Sequence, residues 1–441
     1  MFSLKQWQDS PHWQNWVGYV TATPEQKLTP ESIEALQDIV KNAVKNNKRV
    51  RVTGAGHSFS GCAKPEEIAV SLHHLRGIDS VDSINKEVTV FAGTYLYEMG
   101  DLLREHGFAM QNMGDIQNQT VAGSISTGTH GTGITLGSVS SQIVAWEWVD
   151  GLGNLHQHRR GDDDLSNALH IHMGMLGIFT RLTLKVVDLY GLREESAVFD
   201  FDTGLAQFDE AMRANRHMEW FLFPGTNKLQ QKILSVIEPK PMSKWQKFKD
   251  KVESKVVLNG AFYLASELAR KNPKYTKSVS QLSADNIPNT IREGYSYEVF
   301  PKPRGVRFNE SEYFIKYSDF DACIRHINEA LLEDTKSSHF PIEVRSHKAE
   351  TGFLSPTQGN DSVVLSFHVY KGIDSEPFFN WVKEQMAQWQ GRPHWGKVNK
   401  LSHQELLDLY PDLPKFLALR QQYDPHNVFI NEWLAQKFLN T

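Results

Sequence analysis

The strongest constraint on this chain's fold is residues 107–135, nearly 30 residues that follow neither a helical nor a strand period. Gly, Thr, Ser, Asn and Gln dominate there, and so long an aperiodic run inside a compact domain is usually functional. In Gln119-Thr120-Val121-Ala122-Gly123-Ser124-Ile125-Ser126-Thr127-Gly128-Thr129-His130-Gly131-Thr132-Gly133, few side chains exceed three heavy atoms. A bulky, flat ligand could therefore lie close against the main chain. A flexible linker is the poorer reading, because Val121, Ile125 and His130 are out of place in one. The flanks are regular. Thr29 as N-cap and Pro30 at N1 predict a helix carrying Ile33, Leu36, Val40, Ala43 and Val44. Strands are predicted at 49–53, 68–72, 87–92, 143–149 and 179–187, and a helix at 95–106.

A second glycine segment, Thr53-Gly54-Ala55-Gly56-His57-Ser58-Phe59-Ser60-Gly61, follows directly on a strand. Glycines let a turn aim its N–H groups at a phosphate, and small hydroxyls add donors. Three familiar motifs fail here: Phe59 stands where a dinucleotide fingerprint needs Gly, no Gly-Lys-Ser/Thr ending occurs, and Ser60 replaces the last Gly of a hydrolase elbow. Spacing alone leaves a tight surface turn and a phosphate cradle equally supported.

At 441 residues the chain is too long for one core, and two domains are expected. A net charge of −5 argues against nucleic acid as the main partner. Two cysteines, Cys62 and Cys323, exclude a disulfide framework and a Cys-based zinc site. His73-His74, His156/His158 and His170/His172 offer no spacing with a third ligand, so no metal is expected. No secretory signal is visible and no apolar run approaches the ~20 residues of a membrane span, so a soluble, cytoplasmic protein is expected. Residues 240–255 hold six lysines around Trp245 and Phe248, where a solvated helical face outweighs a membrane or anionic-partner helix.

Together the two glycine segments resemble the cofactor domain of the vanillyl-alcohol-oxidase (PCMH) type flavoproteins, and in detail the aldonolactone and alditol oxidases. The resemblance implies an FAD-binding α+β domain over 1–190, completed by about 420–441. A cap over 191–419 would carry an antiparallel sheet flanked by helices. FAD would lie on Thr53, Gly54, Ala55, Gly56, His57, Ser58, Phe59, Gly114, Asp115, Thr120, Gly123, Ser126, Thr127, Gly128, His130 and Ile178. His57 matches the histidine that carries flavin covalently through its 8α-methyl group. Asn118 stands where members with a second flavin bond have Cys, and Cys62 reads as a buried thiol.

The resemblance resumes at Phe340–Arg345, Leu354-Ser355-Pro356, Arg392–Lys397 and Asp424–Trp433, and is weakest over about 225–300. If 340–345 is a strand, Glu343 and Arg345 share one face while Ile342 and Val344 share the other. A carboxylate beside a guanidinium can bind a polyol, and a surface ion pair is the plain alternative. The resemblance assigns Glu343, Arg345 and Lys397 to the substrate's reacting end, and His394 and Trp395 to shaping the loop. It implies hydride transfer from a sugar lactone or a polyol to FAD, with O2 as acceptor and hydrogen peroxide as product. A flavin carrier without turnover would have no need of those three residues. Asp115 replaces the Ser of alditol oxidases, which favours a lactone. Gly114, where dehydrogenases of the family have Ala, would leave the flavin edge open to O2; its alternative is a turn with positive φ. Oligomeric state is not legible.

Overall fold

The computed structural model describes residues 4–252, 260, 262–287, 291–301 and 306–440. The first long helix begins at a side chain that can cap it: Ser32 accepts from the Ala35 amide, and the helix runs Ile33–Lys45. Thr29 and Pro30 do not start it, because they follow directly on the strand Gln26–Leu28 and carry the chain off the sheet. That strand lies in a three-stranded parallel sheet, Gln26–Leu28, Ile68–Val70, Val50–Val52 in spatial order. The helix stripe Ile33, Leu36, Val40 and Ala43 shares a core with Val50, Ile68 and Val70.

An antiparallel sheet of five strands joins the same core, ordered Leu155–Arg159, Ile143–Val149, Ile178–Lys185, Glu87–Phe91, Ile78–Asp82. Between its strands runs the aperiodic stretch, which hides a short helix, Val121–Thr127. Thr120 caps it by accepting from Gly123 N, and Gly128 ends it in the left-handed region at φ 76°. Ser124 and Thr127 turn their hydroxyls back onto the Val121 and Gly123 carbonyls. Val121 and Ile125 alone mark its buried apolar side, one turn that is too short to read as a helical period, which is why the sequence conceals it.

The second half forms an antiparallel sheet of eight strands: Ile291–Tyr295, Gly191–Asp200, Lys228–Ile237, His217–Leu222, Ile342–His347, Ser362–Tyr370, Phe308–Lys316, Arg392–Pro393. Strand alternation divides its faces. Met218, Trp220, Leu222, Ile342, Val344, Tyr313, Ile315, Leu365 and Phe367 pack with the helices Phe201–Ala214, Phe320–Glu333 and Glu376–Ala387. Residues between them, including Glu219, Glu310, Glu312, Glu343 and Arg345, lie on the opposite face.

Two segments tie the halves together. Residues 132–136 dock on the large sheet through Thr132 Oγ1 to Met218 O (2.6 Å), Gly133 N to Ser346 O (3.0 Å) and Lys348 N to Leu136 O (3.0 Å). The C-terminal part returns to the first core, with Leu401, Leu406, Tyr410, Leu413, Phe416 and Phe438 buried in it. Asp424 accepts from Val428 N and Phe429 N, and that turn lets Val428 O receive Val50 N at 2.7 Å.

Candidate active site

Two cavities, of about 280 and 110 Å³, adjoin at His57, Ser58, Gln119 and Thr127. The smaller is a groove. Of the residues expected to hold cofactor, Thr53, Gly54, Ala55, Gly56, His57, Ser58, Thr120, Gly123, Ser126, Thr127 and Ile178 line it. A Cβ on Gly54 would come within 2.7 Å of Thr120 Oγ1, so glycine is what allows the turn and the helix cap to approach. Thr53 Oγ1 is buried in the groove wall and has no hydrogen-bond partner among the described residues. A ligand oxygen would satisfy it. A narrow groove walled by glycines and small hydroxyls, with a histidine at its inner end, fits FAD.

The other expected cofactor residues sit elsewhere. Phe59, Gly114, Asp115 and His130 line the larger cavity and not the groove. Gly128 lines neither cavity, because its left-handed backbone is spent on closing the helix. Gly114 is not in left-handed backbone; a Cβ there would lie 2.8 Å from Thr129 Cγ2, so close approach and not turn geometry requires the glycine. His57 stacks on Trp16 with ring centroids 5.7 Å apart. Burial, reinforced by Lys397, pulls its imidazole down to about 4, so the ring is neutral near pH 7.

Arg345 dominates the larger cavity. Its Nη2 donates to Asp115 Oδ2 at 2.7 Å and to Glu343 Oε1, and its Nε donates to Glu219 Oε1 at 3.1 Å. Burial works against the guanidinium charge, but the three carboxylates outweigh it and hold the arginine charged. The balance reverses at Glu219, which burial first, then Asp115, pushes up to about 7 against the pull of Arg345. Among the described residues Nη1 carries no hydrogen bond, and it is the nitrogen left to meet a ligand.

Lys397 is placed by backbone. Val398 N bonds Glu310 O (2.9 Å) and His394 N bonds Glu312 O (3.0 Å), fixing the loop to the strand Phe308–Lys316. Phe59 N to Gly396 O (2.7 Å) and Ser60 Oγ to Trp395 O (2.8 Å) then bind that loop to the first glycine segment. Lys397 Nζ meets Glu310 Oε2 at 2.6 Å and lies 5.2 Å over the Phe59 ring. Cavity and groove thus share structural supports.

Sequence reasoning missed Glu219, Glu310 and Glu312. The two acids of Phe308–Lys316 stand two apart on one strand face, a signal indistinguishable from a solvated strand. Glu312 receives His130 Nε2 at 2.9 Å and Ser366 Oγ at 2.6 Å; burial raises its carboxyl, but His130 and Lys397 outweigh burial and hold it well below the usual range. Among the described residues, His130–Glu312–His394 and Asp115–Glu219–Glu343 each bring three possible metal ligands within 4.8 Å. Arg345 already bonds all three members of the second group. In the first, His394 Nδ1 accepts from Gly396 N at 2.9 Å.

Residues 182–437, more than half of the chain, match the sequence profile described as D-arabinono-1,4-lactone oxidase. The chain belongs to the D-arabinono-1,4-lactone oxidase family. Residues 24–158 match an FAD binding domain, and with the groove's fit this makes it a flavoprotein that binds FAD. Within this lactone oxidase family, the L-gulono-1,4-lactone dehydrogenase of Mycobacterium tuberculosis is 31% identical, across 96% of this chain and 98% of that one. The L-gulonolactone oxidase of Scyliorhinus torazame is 26% identical over the same shares. The fold is also that of cholesterol oxidase from B. sterolicum, with a TM-score of 0.80 at 16% identity over 97% of this chain and 96% of that one.

Proposed function

We propose that this protein oxidises an aldono-1,4-lactone of the D-arabinono or L-gulono type at a hydroxyl-bearing carbon. The observation that carries the reading is that Arg345, Glu343 and Lys397 line one cavity, which adjoins the FAD groove at His57. When bound, FAD supplies the hydride acceptor and passes the electrons to O2, giving hydrogen peroxide. Arg345 Nη1 and Lys397 Nζ stabilise the negative charge that grows on the substrate oxygen as its proton leaves. Glu343 accepts from a neighbouring hydroxyl and orients the ring. Asp115, Glu310, Glu312 and Glu343 line the cavity against two cations, a balance that suits a neutral polyhydroxyl compound over its ring-opened acid. The neutral imidazole of His57 keeps a nitrogen lone pair for the 8α-methyl of FAD, and we assign covalent attachment there. In this reading the unit of about residues 1–190 with the C-terminal return holds FAD, and the eight-stranded sheet with its helices is the cap.

A second reading is a dehydrogenase that hands electrons to an acceptor other than O2, supported by the relative named as one. A steady-state screen of aldonolactones against xylitol and sorbitol, reading peroxide and dye reduction in parallel, tests both. Lactone-dependent peroxide is expected. Dye reduction without peroxide favours the dehydrogenase, and turnover of polyols alone overturns the lactone assignment.

A further inference from the structure

Residues 13–22 form a hairpin wedged between the first glycine segment and the eight-stranded sheet. Its arms pair Trp13 with Ala22 and Gln14 with Thr21. One buried side chain folds the tip: Asn15 Oδ1 accepts from the amides of Gly18 (2.9 Å), Tyr19 (3.0 Å) and Val20 (3.1 Å), and Gly18 turns the chain at φ 86°. Toward the glycine segment, Trp16 N donates to Gly56 O at 2.7 Å and Asn15 Nδ2 to Ser58 O at 3.0 Å. Toward the sheet, Lys371 Nζ donates to Val17 O at 2.6 Å and Gly372 N to Tyr19 Oη at 3.0 Å. Bonded on both sides, the tip holds the Trp16 ring in place.

That ring closes one wall of the larger cavity. It stacks on His57 with centroids 5.7 Å apart, and meets Phe308 at 5.5 Å and Phe59 at 6.2 Å edge-on. Phe59 and Phe308 stack on each other at 5.9 Å, and all three aromatics line the cavity. Trp16 and Phe59 are only half-buried, so ring surface remains to meet a ligand. The aromatic wall borders the charged one. Lys397 Nζ lies 5.2 Å over the Phe59 ring while it pairs with Glu310, and His368 meets Phe308 at 4.9 Å.

An ion or an open-chain polyol gains little from such a wall, because a hydroxyl pressed against it loses its water and finds no partner. A lactone ring is different: its oxygens stand around the edge, and its faces carry C–H groups. An aromatic face, which is negative, attracts those C–H groups and removes them from water. We propose that Trp16 is a substrate-binding residue, a role that rests on the lactone reading of this site. It is the platform on which one C–H face of the ring lies while the oxygen-bearing edge meets Glu310, Glu343, Arg345 and Lys397. The hairpin exists in this account to carry that platform: its bonds to Gly56 and Ser58 on one side and from Lys371 and Gly372 on the other fix the indole where the two halves of the molecule meet.

Two measurements on the FAD-loaded full chain test this. With L-gulono-1,4-lactone, Trp16→Leu should keep its FAD and raise KM by ~10-fold or more while kcat changes by less than ~2-fold, the pattern of a contact made equally before and during the reaction. Trp16→Phe keeps an aromatic face, and its KM should stay within ~3-fold of wild type. Without reading turnover, wild type labelled with 5-fluorotryptophan gives a fluorine resonance for Trp16, assigned by its loss in Trp16→Phe. With the flavin reduced by dithionite, adding the lactone should move that resonance. Should Trp16→Leu not fold, the fluorine shift alone decides. A resonance that stays in place, a KM unchanged in Trp16→Leu, or one raised as much in Trp16→Phe overturns the platform even where wild type oxidises the lactone. A wild type that oxidises xylitol and no lactone overturns the function on which the platform rests, and the platform with it.

Discussion

Glu219 offers a titration that burial should make visible. It stands on His217–Leu222, the strand beside Ile342–His347, and receives Arg345 Nε at 3.1 Å. Its carboxyl is raised from an ordinary 4.5 to about 7, burial being the largest cause. At ~1.4 kcal/mol per decade this corresponds to about 3 kcal/mol. The folded protein keeps this proton after the unfolded chain has released it. The associated stability is therefore full below 4.5, falls as pH rises toward 7 and is gone above it. Glu219→Gln keeps an oxygen for Arg345 Nε but has no proton to lose. Guanidinium unfolding of the FAD-loaded proteins at a series of pH values should give similar stabilities at about pH 4, and a variant more stable by up to about 3 kcal/mol at about pH 8. Groups common to both proteins cancel in the difference. A difference that does not change with pH would refute the reasoning.

Other outcomes follow from the same geometry. Wild-type protein denatured in acid should keep its yellow colour, and the peptide containing His57 should carry the mass of FAD; His57→Ala should release the flavin, whereas wild-type flavin that washes off sinks the covalent assignment. Lys397→Met should keep its FAD but reduce the flavin ~10²-fold more slowly with lactone, and an unchanged rate would remove Lys397 from the chemistry. Gly114→Ala should slow reoxidation by O2 more than reduction by substrate. Because its Cβ would also press on Thr129 Cγ2, Thr129→Ser in the same protein should restore FAD content but not reoxidation. Fast reoxidation in that double variant would count against a gate.

What the sequence made legible was local. A phosphate-type turn is written in consecutive residues, so Thr53–Ser58 could be read directly, as could the alternation that sets Glu343 and Arg345 opposite Ile342 and Val344. The partners of Arg345 could not be read that way. Asp115 and Glu219 lie 230 and 126 residues from it in the chain and meet it only through the docking of residues 132–136 and the pairing of two strands. Period-two patterning places Glu310 and Glu312 on one face without saying whether water or the FAD-binding half covers that face. Side-chain caps hid two helix boundaries. Ser32 outcompeted the Thr29-Pro30 signal, and Thr120 starts a helix whose apolar side, Val121 and Ile125, is too short to show a period. Gly128 was legible as a required glycine but not for its role, because a helix end and a cofactor wall ask for the same residue.

The most direct test of the central claim is anaerobic mixing of the FAD-loaded protein with a single aldono-1,4-lactone in a stopped-flow instrument. The account predicts bleaching of the flavin band at a rate that saturates with lactone, and no bleaching by the ring-opened acid. A flavin that stays oxidised with every lactone, or that is reduced by xylitol or sorbitol instead, would contradict it.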